Sequence, residues 1–129
     1  MKPVFALLAC LLAGCATTFP TKTLTPLDND HEVTVKVGEF LVVELPSNHT
    51  TGYGWVDHSE GAKLLQQVGA TDYMQDSPEG LVGVGGTEIW EFHAAKVGRQ
   101  TLRLDYVRPW EKDESPVKTV SFNIVVIGN

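Results

Sequence analysis

The chain has 129 residues, 43% of them apolar and 20% charged, enough for one domain with one core. Its formal charge is -6 and its pI is near 5.1. Lysine and arginine are scattered without a run, so a nucleic-acid partner, which needs a basic stripe, is not expected.

Lys2 opens a short positive region, and Val4 to Ala13 is apolar but too short to span a bilayer as a finished helix. Residues 1–14 have the pattern of a secretory signal. Their end, Leu12-Ala13-Gly14-Cys15, resembles a bacterial lipobox, in which the cysteine becomes the first mature residue and carries lipid such as palmitate. The resemblance implies a lipidated Cys15, a tether over residues 15–30 and a domain over residues 31–129. It also implies a bacterial cell-envelope lipoprotein. Ala16 stands where an inner-membrane protein would carry Asp, which points to the outer membrane. Cys10 and Cys15 are the only cysteines. With one cleaved away and the other acylated, the exported domain has no disulfide and is held by its core alone.

Beyond the tether the pattern has period two. Val33, Val35 and Val37 share a face, and Gly38-Glu39 makes a turn. Phe40 to Leu45 is denser, as for a strand buried on much of both faces, and Pro46 closes it. Asn48 to Trp55 reads Asn-His-Thr-Thr-Gly-Tyr-Gly-Trp: stiff hydroxyl residues beside glycines, then aromatics that continue as a strand through Val56. Lys63 to Val68 fits a helical turn or a strand and is taken as strand; Thr71 to Gln75 is another. Asp76 to Gly80 is turn chemistry, and Leu81 to Gly86 is a glycine-rich tip. From Thr87 to Ala95, Trp90, Phe92 and Ala94 form one face, with Glu88, Glu91 and His93 mostly polar. In the next strand Leu102, Leu104 and Tyr106 point inward, Arg103 and Asp105 outward. Arg108-Pro109-Trp110 ends it, a charged loop follows to Pro116, and Lys118 to Ile127 is the last strand, with Val120, Phe122, Ile124 and Val126 on one face. Seven to eight short strands without a long helical pattern predict an all-β, Ig-like antiparallel β-sandwich.

Three loops stand out: Asn48–Gly54, Gly80–Gly86 and Arg108–Ser115. In an Ig-like sandwich the corresponding connections share one end. Trp55 fits a core anchor, whereas arginine beside an aromatic in a loop fits a binding hot spot. The glycine loop runs into a strand and lacks the Gly-Lys-Ser/Thr ending of a phosphate cradle. Catalysis is poorly supported. The four histidines, His31, His49, His58 and His93, lack metal-ligand spacing, and no Gly-x-Ser-x-Gly elbow is present. Neither a metal nor a cofactor is expected.

Taken together, the loops resemble the chagasin family of cysteine-protease inhibitors. The family's first loop reads Asn-Pro-Thr-Thr-Gly-Tyr-x-Trp, matched by Asn48-His49-Thr50-Thr51-Gly52-Tyr53-Gly54-Trp55; its Gly-x-Gly-Gly is matched by Gly83-Val84-Gly85-Gly86, and its Arg-Pro-Trp by Arg108-Pro109-Trp110. The similarity runs from about Glu32 to Val126. It implies reversible, tight inhibition of papain-like (clan CA) cysteine proteases by a wedge of three loops, acting as a monomer and not as an enzyme. The protease-binding residues it implies are Asn48, Thr50, Thr51, Gly52, Gly83, Val84, Gly85, Gly86, Arg108, Pro109 and Trp110. Thr50 and Thr51 would approach the catalytic cysteine, with Thr51 nearest. Gly83 to Gly86 would line the non-primed cleft, and Arg108 with Trp110 the primed side. The departure is His49 in place of proline, which loses a φ lock. A second reading is an Ig-like adhesion or assembly module that uses the same loops on a non-protease partner; a hydrolase ranks last.

Overall fold

The computed structural model describes residues 21–76 and 85–129. Among these residues are nine strands: β1 (Thr21–Leu24), β2 (Glu32–Lys36), β3 (Phe40–Ser47), β4 (Gly54–Asp57), β5 (Leu65–Gln67), β6 (Asp72–Gln75), β7 (Gly86–Ala94), β8 (Gly98–Val107) and β9 (Lys118–Ile127). One sheet has the order β1-β3-β7-β5, with β6 also paired to β7; the other has the order β2-β9-β8-β4. The expected all-β sandwich is therefore present.

Alternation makes the core. Val33 and Val35 of β2, Leu41, Val43 and Leu45 of β3, and Trp90, Phe92 and Ala94 of β7 are buried. So are Leu102, Leu104 and Tyr106 of β8 and Val120, Phe122, Ile124 and Val126 of β9. These residues join into one cluster shared by both sheets. Each large aliphatic or aromatic side chain fully buried there contributes roughly 1.5–3 kcal/mol relative to exposure.

Several details differ from the expectations. Two pairings are parallel, β1 with β3 and β2 with β9, so both sheets are mixed. Residues 21–24, read as tether, form β1, and Leu24 enters the core. A short strand at a sheet edge leaves too little periodicity to be seen in sequence. The β3 strand is buried on one face only and continues through Pro46 to Ser47. The Pro46 carbonyl accepts the Trp55 indole N–H at 3.0 Å. On a strand a residue's N–H and C=O point to the same side, so Pro46 interrupts no bond to β7.

The order of turns places the loops. Ser47 pairs with Gly86, and Gly54 with Val107, so the β3–β4 and β8–β9 connections lie at one end, together with the paired Gln75 and Gly86 where β6 ends and β7 begins. The β2–β3 and β7–β8 turns lie at the other, where Thr21 pairs with Phe40.

Candidate functional site

The first loop is a single 3-10 turn over His49–Thr51, capped at both ends. The Asn48 side-chain oxygen accepts the Thr50 N–H at 3.1 Å and the Thr50 hydroxyl at 2.6 Å. The Thr51 hydroxyl donates to the Asn48 carbonyl at 2.7 Å and accepts the Tyr53 N–H at 3.3 Å. Thr50 and Thr51 are exposed, yet both hydroxyl hydrogens are spent inside the turn. Gly52 closes the turn at φ +82, a left-handed conformation suited to glycine.

The third loop packs directly on the first. Arg108 Nε donates to the Thr51 carbonyl at 3.1 Å, and its guanidinium lies 4.5 Å from the centre of the Tyr53 ring. Pro109 is exposed and Trp110 is 66% exposed. The indole nevertheless lies over Gly52: a β-carbon on that glycine would be 2.5 Å from Trp110 Cη2. Beneath, Tyr106 packs against Tyr53 and Trp55 with ring centres 5.4 and 4.9 Å apart, and its hydroxyl accepts the Asn48 N–H at 2.9 Å. Trp55 is buried, as a core anchor should be, while Tyr53 is partly buried against the core.

Of the glycine loop, Gly83 and Val84 lie outside the described residues. Its flanks do sit at this end. Gly85 accepts the Asp76 N–H at 3.0 Å, and a β-carbon on Gly85 would lie 3.7 Å from the Ser47 carbonyl. Gly86 is buried in β7, where a β-carbon would run into the Met74 carbonyl and lie 2.6 Å from the Tyr73 ring, so the glycine makes room for both.

Two buried carboxylates went unnoticed in the sequence. Glu88, read with the polar face, shares the inward face of Trp90, Phe92 and Ala94 and is 3% exposed. Its Oε2 accepts from Ser47 Oγ at 2.7 Å and the Trp55 N–H at 3.2 Å and lies 3.1 Å from His49 Nε2; its Oε1 accepts from Trp90 Nε1 at 3.3 Å. Buried carboxylates survive when so satisfied. The signal was available: residues 88, 90, 92 and 94 share the period of two.

Asp105 was expected to face solvent and is 1% exposed. On the outer face of β8, His58 Nδ1 caps it at 2.7 Å, and Arg103 Nε and Thr119 Oγ1 lie at 3.1 and 2.8 Å. Burial pushes its carboxyl up. The hydrogen bonds from His58, Thr119 and Arg103, with the guanidinium charge, outweigh burial and hold it below the ordinary 3.8. The His58–Asp105 pair has two of the three members of a hydrolytic triad, but the neighbouring Ser59 hydroxyl accepts the Arg103 N–H rather than engaging His58. The arrangement is a structural clasp between β4 and β8.

The profile of the chagasin family peptidase inhibitor I42 matches residues 34–124. Amoebiasin-2 from Entamoeba histolytica is 27% identical over 114 residues, 87% of this chain and 91% of that protein. Chagasin from Trypanosoma cruzi is 34% identical over 93 residues, 67% of this chain and 81% of that protein. The crystal structure of the cysteine protease inhibitor EhICP2 from Entamoeba histolytica superimposes with a TM-score of 0.74 at 22% identity, covering 87% of this chain and 100% of that one. The sandwich fold, the loops gathered at one end and these similarities agree: the chain belongs to the chagasin family of peptidase inhibitors, and is not an enzyme.

Proposed function

We propose that this protein is a reversible, tight-binding inhibitor of papain-like cysteine proteases, acting as a monomer that blocks the active-site cleft with three loops. The observation that carries the reading is the interlocked tip: Arg108 bonded to the Thr51 carbonyl and the Trp110 indole seated on Gly52. Loops tied to each other before binding lose little freedom on docking, so an interface of about 800 Å² per partner can be tight. The tip also offers no scissile bond in attack geometry. With the threonine hydroxyls satisfied internally, it excludes substrate by shape.

The anchor is a second part of the proposal. Lipid on Cys15 would hold the protein in the bacterial envelope, at the outer membrane. Thr21 leads into the sandwich at the end opposite the loops, which supports a mounting with the inhibitory tip directed away from the membrane.

The test is a titration of papain with the domain from Phe19 onward, which contains the whole buried cluster. Inhibition should be stoichiometric and weakened by Thr51→Trp. Full papain activity at micromolar domain would sink the reading; inhibition insensitive to Thr51→Trp would sink the placement of the tip.

A further inference from the structure

We propose that His49 is a positioning residue that anchors the protease-facing tip through Glu88 and Tyr73, and that its hold strengthens when the imidazole gains its second ring proton. The proposal rests on the inhibitor reading above for its effect on proteases, but the anchor itself belongs to the free protein.

A single 3-10 turn closed by the Thr51 and Gly52 N–H groups is too short to hold its own shape. Something outside it must do so. His49 points back from the turn: Nε2 lies 3.1 Å from Glu88 Oε2, and the ring stacks on Tyr73 with centres 3.8 Å apart and planes at 14°. Its own carbonyl accepts the Gly52 N–H at 3.2 Å, so fixing His49 fixes the closing bond of the tip. The side chain thereby ties the first loop to β7 and to β6, the strand that leads into the glycine loop. Where the motif this loop resembles has proline locking the backbone, this chain uses a side-chain anchor.

The tautomer is assigned from the hydrogen-bond pattern. Ser47 Oγ, the Trp55 N–H and the Trp90 indole N–H all donate to Glu88, which accepts as a carboxylate. His49 Nε2 must then carry hydrogen. A neutral ring donates one ordinary hydrogen bond. An imidazolium makes that bond charge-assisted, against a carboxylate 3% exposed. The imidazole is 47% exposed and open to solvent. Other ionisable groups face the region without bonding to the pair. Tyr73 covers the ring, and Tyr106 holds the Asn48 N–H. Asp76 and Lys118 line the shallow cavity beside Ser47 and Asn48, and Arg108 contacts the Thr51 carbonyl.

The experiment compares wild type, His49→Ala and His49→Gln, which keeps an N–H donor but neither charge nor ring. Papain Ki at about pH 5.5 and pH 8, hydrogen exchange of the Thr50, Thr51 and Gly52 amides, and thermal melting are measured. Ratios to wild type cancel the enzyme's own titration. His49→Ala should raise Ki about 10-fold at the lower pH and by a smaller factor at the higher, and should speed tip exchange, with melting nearly unchanged. His49→Gln should fall between the two and approach wild type as pH rises. Ki ratios within twofold at both pH values, with unchanged exchange, overturn the anchor; a ratio that ignores pH overturns the proton dependence. If wild type leaves papain uninhibited, the inhibitor reading fails, and tip exchange alone decides whether His49 anchors the turn.

Discussion

Replacing Gly52 with alanine probes the join between the first and third loops. At φ +82 a β-carbon costs roughly 1–2 kcal/mol. The methyl would also lie 2.5 Å from Trp110 Cη2, well inside the separation of about 3.5–4.0 Å at which carbons attract. The indole must move, and at 66% exposure it can swing into solvent with little loss to the core. Stability should therefore fall by about the backbone cost alone, lowering the melting temperature by roughly 4–8 °C. Inhibition should suffer further. Displacing an aromatic anchor from an interface costs about 2 kcal/mol or more, roughly 30-fold in Ki. Gly38 supplies the control. It has φ +95 with open space around its would-be β-carbon, and it lies at the opposite end of the sandwich. Gly38→Ala carries comparable backbone strain without touching the loops, so it should lower melting similarly and leave Ki alone. Papain Ki and thermal melting of both variants constitute the assay. Equal Ki values for the two, within twofold, would refute the claim that the Trp110–Gly52 contact shapes the protease-facing surface.

Trp110→Ala should weaken papain inhibition by roughly 30-fold while changing melting little, since the indole is mostly in solvent; a large melting loss with unchanged Ki would make Trp110 scaffold instead. Asp105→Asn should destabilise the domain by about 1–3 kcal/mol near neutral pH, because three donors lose their carboxylate. The native carboxyl is held below 3.8, so its stabilisation is complete above that value and is lost as pH falls through the native one. The urea midpoints of variant and wild type should thus converge in strong acid, and a gap of constant size would contradict this account. Cys15→Ser should abolish palmitate incorporation in a bacterial host and leave the precursor unprocessed; undiminished labelling would reject lipidation at that cysteine.

The strand pattern was readable because burial on one face of a sheet imposes alternation on neighbouring residues. Leu102, Leu104 and Tyr106, or Val120, Phe122, Ile124 and Val126, declare themselves within one strand. The loop motifs were readable for a similar reason: glycine, threonine and aromatics crowd into short stretches. Less visible were the features made by short edges. β1 is four residues long and finds its place only through parallel pairing with β3.

Residue order alone thus established an all-β sandwich with Trp55, Trp90 and Phe92 inside and three unusual loops between its strands. Folding in space brought Arg108 to Thr51 across 57 residues, and Glu88 to His49 across 39. It also buried two acidic residues, one beneath the tip and one sealed on the outer face of β8. No local pattern encodes such contacts. A charge is tolerated in a protein interior when donors from distant strands surround it, and those donors converge only once the sheets have packed.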